Sequence, residues 1–246
     1  MEKKKIGIDA RVLQQPITGV GNNIIQIIKE IRKIDKTIDF ILFFSKEPLC
    51  SAIEEIGDLS KVVIPVQKSF IWEQLKLPMA IKKHQIDIYH APWNAGLPFR
   101  KICKCVVTIH DLIPLEIGNY FESWRSKLIY KIRMSLSGKR SDKIITDSNY
   151  SKEKIVEYLN VSEDKIIVAG NAVSNIFHPI KDLKILDKIK EKYDLETKFL
   201  LYVGGFDPRK NVDILIKSFN YYLQQTRRSD LKLVMVGAKN DYYLKL

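Results

Sequence analysis

Short apolar runs alternate along the chain with longer stretches in which apolar residues recur at helical spacing. Strand-length runs separated by helical patterns are typical of repeated β-α-β units, so the pattern predicts an α/β protein with a doubly wound parallel sheet. The runs that we predict to be strands are Lys4–Asp9, Ile38–Phe44, Val62–Ile64, Asp87–Tyr89, Cys105–Ile109, Lys143–Thr146, Lys165–Val168, Phe199–Val203 and Leu231–Val236.

The stretch after the first predicted strand shows the helical pattern most clearly. Its apolar positions fall on one stripe and its charged residues lie off that stripe, which predicts an amphipathic helix covering the sheet. The stripe consists of Ile24, Ile27, Ile28 and Ile31. Comparable patterns predict further amphipathic helices at about 124–137, 151–159 and 211–224.

A turn-rich segment at residues 171–179 follows the seventh predicted strand and favours a domain boundary there. We therefore expect a complete domain at residues 1–175, a linker and connecting helix at 176–198, and an incomplete domain at 199–246. The last segment has room for one β-α-β unit, whose single helix can cover only one face of its strands. We expect exposed apolar surface there, in a chain that is C-terminally truncated or completed by another polypeptide.

The composition is that of a folded globular protein, with 46% hydrophobic and 28% charged residues. No apolar run approaches the roughly 18 residues that a membrane span needs, and the N-terminus has no signal-peptide pattern. We therefore expect a cytoplasmic protein. Cys50, Cys103 and Cys105 lack the spacing of a metal site, so we interpret them as reduced structural thiols and expect no metal.

The formal net charge of +12 favours an anionic partner. Part of this charge lies at residues 124–140, where six basic residues and no acidic residue accompany apolar residues at helical spacing. Such a helix can lie on an anionic membrane surface, and it can equally be a packed helix with a solvated basic face. A nucleic-acid partner is not expected, because the sequence has no recognition-helix motif and no aromatic platform interleaved with arginine.

The first candidate site is the glycine-containing turn Thr18–Gly21, which opens the first helix. Gly19 and Gly21 would let backbone amides approach a phosphate or sugar at the positive end of that helix. A plain tight turn is an equally good explanation of this short motif. Ile24 stands where a dinucleotide fingerprint would have its third glycine, so binding of NAD is disfavoured.

The second candidate site lies at the ends of the fifth and sixth predicted strands. His110 follows the fifth strand with Asp111 beside it, and an imidazole there can donate to a sugar hydroxyl or transfer a proton. The structural alternative is a histidine that holds a loop carbonyl. After the sixth strand, we interpret Ser151 as a helix cap and Ser148 as a side chain that faces the crevice.

The third candidate site follows the eighth predicted strand. Gly204 and Gly205 would let the chain turn sharply, and Arg209 and Lys210 stand just before the next helix. Two cations beside a helix N-terminus form a concentrated positive site that suits a diphosphate. The alternative is a solvated basic turn. The combination of a glycine turn, a strand end and a helix start makes this alternative the weaker interpretation.

Taken in order, GIDAR with TGVG, then HDLIP, TDSNYS and YVGGFDPRKN resemble the motifs of the retaining, nucleotide-sugar-dependent glycosyltransferases of family 4. The resemblance extends from Ile6 to Gly237. It implies a GT-B-like fold, with a complete N-terminal doubly wound domain on the acceptor side. Residues 199–246 would then be the first β-α-β unit of a second, Rossmann-like domain that binds the nucleotide sugar.

The resemblance also implies roles for the candidate residues. His110 would contact the donor sugar, and Asp111 would order its loop. Arg209 and Lys210 would neutralise the leaving diphosphate without a metal, and the two glycines of the first turn would lie near the diphosphate or the acceptor. The partners implied are a nucleotide sugar, with GDP-mannose as the leading candidate, and a glycan or lipid-linked acceptor at the inner face of a membrane.

The sequence departs from the family pattern at its end. A pair of glutamates separated by seven residues should follow in the second domain, but the acidic residues after Lys210 are Asp213, Asp230 and Asp241, none in that setting. We therefore expect this isolated chain to be inactive or incomplete, with a separate C-terminal half as a candidate partner. The alternative is a non-catalytic module that binds an acceptor or a membrane and needs a partner chain.

Overall fold

The computed structural model describes residues 3–48, 54, 56–57, 59–118, 120–195, 198–238 and 243–245. Cys50 and Asp241 lie outside the described residues. The chain divides into two compact units, Met1–Ser174 and Asn175–Leu246.

The first unit is built on a parallel sheet of seven strands. They are β1 Lys4–Asp9, β2 Ile38–Phe44, β3 Ser60–Val63, β4 Ile88–Ala91, β5 Lys104–Thr108, β6 Lys143–Thr146 and β7 Ile166–Val168. The strand order is β3-β2-β1-β4-β5-β6-β7, and every neighbouring pair is parallel. All carboxyl ends therefore meet at one edge of the sheet, and the order reverses between β1 and β4, where such sheets bind ligands.

Among the residues that the structure describes, five helices accompany this sheet. They are α1 Gly19–Ile34, α2 at residues 69–83, α3 Ile113–Glu116, α4 Trp124–Arg140 and α5 Asn149–Leu159. Helix α2 has three consecutive parts, which are Ser69–Ile71, the π-helical stretch Trp72–Lys76 and Leu77–Lys83. Short 3-10 turns lie at Arg11–Gln14 and Glu163–Lys165. Together with the second unit, all nine predicted strands are found, four with the predicted bounds and five shifted by one or two residues.

Strand β2 is buried on both faces, as expected for an inner strand of a parallel sheet. Phe40, Leu42 and Phe44 contribute to the core on the α1 side, and Ile41 and Phe43 to the core on the opposite side. This alternation reflects the period of two along a strand. The continuous apolar run therefore supplies both layers of the core.

The buried faces of α1 and α4 add detail to the sequence patterns. In α1 the fully buried residues include Ile25 beside Ile24 and Ile28, whereas Ile27 is only partly buried. In α4 the sequence left a membrane-facing helix and a packed helix open. Its apolar residues Trp124, Leu128 and Ile132 are exposed, Trp124 at 71%, Leu136 is partly buried, and the buried residues of the helix are Met134, Ser137 and Gly138. The core accepts α4 through small residues, because a Cβ on Gly138 would already lie 3.0 Å from Val161.

The second unit contains helix α6 Leu183–Tyr193, strand β8 Lys198–Val203, helix α7 Val212–Thr226 and strand β9 Leu231–Val236. Strands β8 and β9 pair in parallel, and 3-10 turns lie at Pro208–Lys210 and Tyr243–Lys245. The expected exposure of apolar strand residues is confirmed. Phe199, Leu200, Leu201, Val203 and Val236 all have at least 40% of their surface accessible.

Candidate functional site

His110 and Asp147 form a pair at the carboxyl edge of the first sheet. They follow the neighbouring strands β5 and β6, and Nδ1 of His110 lies 3.0 and 3.2 Å from the two carboxylate oxygens of Asp147. A carboxylate only accepts hydrogen bonds, so Nδ1 carries the proton and Nε2 of the neutral ring is an acceptor. Within the described part of the chain, Nε2 is buried without a hydrogen-bond partner.

The loops around His110 fix its backbone. Its N–H donates to Oδ1 of Asn94 at 3.3 Å, and the N–H of Asn94 donates to the carbonyl of Thr108 at 2.8 Å. The Asp111 carboxylate accepts the N–H of Ile113 at 3.1 Å. A ring that is oriented by a carboxylate and anchored by its backbone is suited to accept one proton or one hydroxyl hydrogen bond at Nε2.

His90 lies behind this pair and is almost fully buried. Its Nε2 is 2.8 Å from Oγ1 of Thr108, and burial, followed by the charge on His110, lowers its pKa to about 4. His90 is therefore neutral in the folded protein near neutral pH. Its role in the site is to support β5 just before His110.

The stability of the first unit is expected to fall as the pH drops from about 6.5 to 4. In this range His90 takes up a proton in the unfolded chain but not in the folded one, which removes up to about 3 kcal/mol of stability. Denaturant unfolding followed by tryptophan fluorescence reports this unit, because Trp72, Trp93 and Trp124 all lie in it. The His90→Gln variant should lose this part of the pH dependence, and an unchanged slope would contradict the assignment.

A second polar cluster connects β1 to α2. The guanidinium of Arg11 donates to Asp9 at 2.7 and 2.9 Å and to Glu73 at 3.0 Å, and it lies 3.9 Å from the centre of the Trp72 ring. Burial opposes the charge of Arg11, but the hydrogen bond to Asp9, the charge of Asp9 and the hydrogen bond to Glu73 raise its pKa above the usual value. Glu73 also accepts from Arg133 at 3.2 Å. The positive charges of the two arginines are balanced by the two carboxylates, so we infer that the cluster holds α2 in position against β1.

The two glycines of the first turn have different surroundings. Thr18 is the N-cap of α1, and its hydroxyl accepts the N–H of Gly21 at 3.5 Å. A Cβ on Gly21 would lie 3.2 Å from Leu13, whereas a Cβ on Gly19 would meet nothing within 4 Å. Gly21 is therefore a capping and packing residue, and Gly19 lies where a ligand can approach. Ligand contact remains a prediction for both.

One capping prediction is wrong. The side chain that caps α5 is Ser148, whose hydroxyl accepts the N–H of Ser151 at 3.1 Å. Ser151 is instead a buried residue in the first turn of the helix. The helix begins at Asn149, two residues before the predicted start, which moves the capping role from Ser151 to Ser148.

The third candidate site lies in the second unit, between β8 and α7. Arg209 and Lys210 stand in a 3-10 turn that Asp207 caps, and Asn211 leads into α7 with a positive φ of 50°. Neither Gly204 nor Gly205 adopts the left-handed backbone conformation with positive φ. A Cβ on Gly204 would come within 2.9 Å of the Tyr202 hydroxyl, and one on Gly205 would meet nothing within 4 Å.

The basic turn contains a carboxylate, Asp207, that pairs with Arg209. Nε and Nη2 of Arg209 donate to the two carboxylate oxygens of Asp207 at 3.1 and 3.0 Å, and these bonds lower the pKa of Asp207. Asp207 thereby fixes the guanidinium beside an exposed Lys210. This arrangement can present cationic donors to a diphosphate, because Arg209 has five N–H groups in a planar fork.

Cys103 and Cys105 are free thiols, partly buried and buried respectively. Among the residues that the structure describes, no group of three or more His, Cys, Asp or Glu is arranged to hold a metal ion. Within those residues, no helix is long and apolar enough to cross a membrane.

Two family models match the sequence. The model described as Glycosyltransferase Family 4 matches residues 17–175, and the model described as Glycosyl transferases group 1 matches residues 184–246. The two matches therefore fall on the two units of the structure in turn.

Curated relatives include two named as O-antigen chain mannosyltransferases. Mannosyltransferase B of Escherichia coli is 22% identical over 240 residues, which cover 91% of this chain and 61% of the relative. RfbU of Salmonella typhimurium is 29% identical over 140 residues, which cover 57% of this chain and 34% of the relative. The chain thus spans less than two thirds of the length of these relatives.

Solved structures share the fold at low sequence identity. The Anabaena HepE protein in complex with UDP and glucose superposes with a TM-score of 0.69 at 14% identity, covering 99% of this chain and 64% of that one. Sucrose-phosphate synthase from Thermosynechococcus elongatus gives a TM-score of 0.64 at 12% identity, covering 97% and 63%. At these identities the likeness shows the fold alone.

Proposed function

This chain belongs to glycosyltransferase family 4 and has a GT-B-like α/β fold, and we propose that it contributes to sugar transfer in surface polysaccharide synthesis. The donor is a nucleotide sugar, and the acceptor is a glycan or a lipid-linked glycan. The observation that carries the proposal is the oriented His110, whose buried Nε2 has no hydrogen-bond partner among the described residues. That atom suits a hydroxyl of the donor sugar.

The two units have different roles in this proposal. The first unit supplies the acceptor side and His110. The second supplies Arg209 and Lys210 to the leaving diphosphate, whose developing charge they would stabilise without a metal. Of the four candidate glycines, Gly19 and Gly205 best suit close approach of a ligand, because each faces open space.

Mannose is the proposed sugar, and GDP-mannose the proposed donor. The support comes from relatives named as mannosyltransferases, whereas structural neighbours that include HepE were solved with UDP or UDP-glucose. The reaction is proposed to retain the configuration of the donor sugar, which would give an α-linked product from GDP-α-mannose.

The test is a transfer assay on the product of the gene, expressed from its own start codon to its own stop codon. Membranes from the native host provide acceptors, and radiolabelled GDP-mannose is compared with UDP-glucose and UDP-galactose. We expect label from GDP-mannose to enter the lipid extract and to be released by α-mannosidase. Transfer from a UDP-sugar alone would refute the donor, and no transfer from any donor would refute the function.

Helix α4 is proposed to contact an anionic membrane surface. Trp124, Leu128, Ile129 and Ile132 each have at least 47% of their surface exposed, on a helix with six basic residues. Exposed apolar side chains beside cations are the combination that binds lipid headgroups peripherally. This contact would place the first unit beside a lipid-linked acceptor at the inner face of the membrane.

Substituting both Leu128 and Ile132 by asparagine is expected to weaken binding to phosphatidylglycerol vesicles at least ~10-fold, since two partly exposed aliphatic side chains lose their contact with the lipid. Sedimentation with vesicles measures the partition, which should also fall as salt is added. The matched control substitutes Ile34 and Val173, which are 85% and 75% exposed elsewhere on the same unit. Equal weakening by both double variants would contradict the assignment to α4.

A further inference from the structure

A pocket of about 250 Å³ opens between α2, the loop between β4 and β5, and α4. Its walls are largely apolar and include Phe70, Ala95, Leu97, Phe99, Ile129 and Leu136. Arg133, Ser137 and Arg140 of α4 also line it, together with Glu73 and Gln74 of α2. The pocket lies entirely within the first unit.

Two buried donors in this lining have no hydrogen-bond partner among the residues that the structure describes. They are Oγ of Ser137, whose residue is 4% exposed, and Nη1 of Arg140. Buried polar groups in folded proteins are nearly always hydrogen-bonded, because an unmade bond costs free energy. Two such donors in one pocket therefore indicate a ligand with acceptor oxygens.

The pocket is a built structure rather than a gap between surface side chains. The guanidinium of Arg140 lies 4.9 Å from the centre of the Phe99 ring, which fixes its plane. Gln74 holds the loop between β4 and β5 in place, since its Oε1 accepts the N–H of Phe99 at 2.6 Å and its Nε2 donates to the carbonyl of Leu97 at 3.4 Å. The donors are thus positioned before any ligand arrives.

The charges favour an anion. Among the described lining residues the one carboxylate is Glu73, which already accepts hydrogen bonds from Arg11, Ser69 and Arg133. The buried donors without a partner in that lining are Nη1 of Arg140 and Oγ of Ser137, so a group made only of acceptors, such as a phosphate, fits better than a sugar with hydroxyl donors.

We propose that this pocket binds the phosphate group of a lipid-linked acceptor. Arg140 and Ser137 donate to the phosphate oxygens, and the apolar walls contact the first carbons of the lipid chain. The volume suits a head group rather than a whole lipid, because pockets that enclose complete ligands usually exceed roughly 300 Å³. The inference rests on the proposed function, whose acceptor class it specifies.

The mouth of the pocket is lined by exposed apolar side chains, as expected if the lipid chain of the ligand continues from the pocket into a membrane. Phe70, Phe99 and Ile129 line the pocket and are 63%, 47% and 59% exposed. Ile129 also belongs to the outward apolar face of α4, next to Leu128. A lipid leaving the pocket would therefore pass along the surface that we propose to lie on the membrane.

The test measures binding of farnesyl phosphate, farnesol and inorganic phosphate to the 246-residue chain by isothermal titration calorimetry. Farnesyl phosphate should bind at least ~10-fold more tightly than either of the others, since only it uses both the donors and the walls. Ser137→Ala and Arg140→Gln should each weaken it about tenfold or more. Ser137→Ala should not lower thermal stability, because the hydroxyl that it removes makes no hydrogen bond to any residue that the structure describes.

Two matched variants separate the pocket from the rest of α4. The hydroxyl of Ser135 donates to the carbonyl of Leu159 at 2.9 Å, so Ser135→Ala should lower stability without changing affinity. Arg125→Gln removes a charge from the same helix outside the pocket and should leave affinity unchanged. Tight binding of farnesol, or wild-type affinity in Ser137→Ala and Arg140→Gln, would overturn the proposal. The assay contains no donor, so its result is independent of whether sugar transfer is found.

Discussion

His110→Ala is expected to lower the rate of sugar transfer by about 100-fold or more, because a positioned acid, base or hydroxyl acceptor typically contributes at least that factor. Nε2 of His110 is buried and, among the described residues, has no partner of its own. The loss should therefore appear in turnover rather than in the stability of the unit. The readout is the labelled-sugar assay on the gene product, with kcat and KM determined separately.

Asp147 acts through His110, and its substitution tests the orientation of the ring. Asp147→Asn can present an amide N–H to Nδ1, which would move the ring proton to Nε2 and remove the acceptor. We expect about a 10–100-fold lower kcat, a range typical of groups that orient an active-site ligand or base. The pH profile of kcat should also change, which a merely structural contact would not produce.

Matched controls lie at the opposite edge of the same sheet. His84 ends α2 just before β4, and Asp164 lies just before β7. His84→Ala and Asp164→Asn should retain transfer near the wild-type rate. If Asp147→Asn kept the wild-type kcat and pH profile while His110→Ala was inactive, His110 would act without the orientation that the structure shows.

The His110–Asp147 pair illustrates what the sequence could and could not predict. The sequence predicts His110 as a site candidate because the end of a strand is visible in the sequence itself. It does not single out Asp147 within the TDSNYS motif, because His110 is 37 residues away and only the neighbouring positions of β5 and β6 bring the two together. Aspartates and histidines that follow adjacent strands of a parallel sheet are therefore worth pairing once the strand order is known.

Helix α4 shows a different limit of the sequence. Its apolar period predicts a helix but leaves open which face is buried, and the structure leaves Trp124, Leu128 and Ile132 exposed. The core instead accepts Ser137 and Gly138, which carry little hydrophobic signal and fit where another chain segment approaches closely. Because this side of α4 faces the rest of the unit, Arg140 and Ser137 line a pocket. Neither donor was a sequence candidate, because the pocket requires α2 and the β4–β5 loop to form its other walls.

Arg209 and Lys210 carry the second large expected effect. Arg209→Ala and Lys210→Ala should each lower kcat about 100-fold, since a single donor to developing negative charge is commonly worth ~10²–10³. Arg209→Lys should restore little, because lysine cannot reproduce the planar fork that both Asp207 and a diphosphate use. Inhibition by free GDP should weaken in parallel, because the same donors would hold the product diphosphate.

The second unit offers a matched control of the same chemistry. Arg228 pairs with Asp230 at 2.7 and 2.8 Å, with the same two-residue separation as Asp207 and Arg209, but it follows α7 instead of preceding it. Arg228→Ala removes an equivalent charge from the same unit without changing the turn after β8. Equal losses in Arg228→Ala and Arg209→Ala would mean that net charge, rather than the position after Gly204 and Gly205, is what the reaction requires. A loss confined to Arg209 and Lys210 would instead assign the diphosphate to this turn.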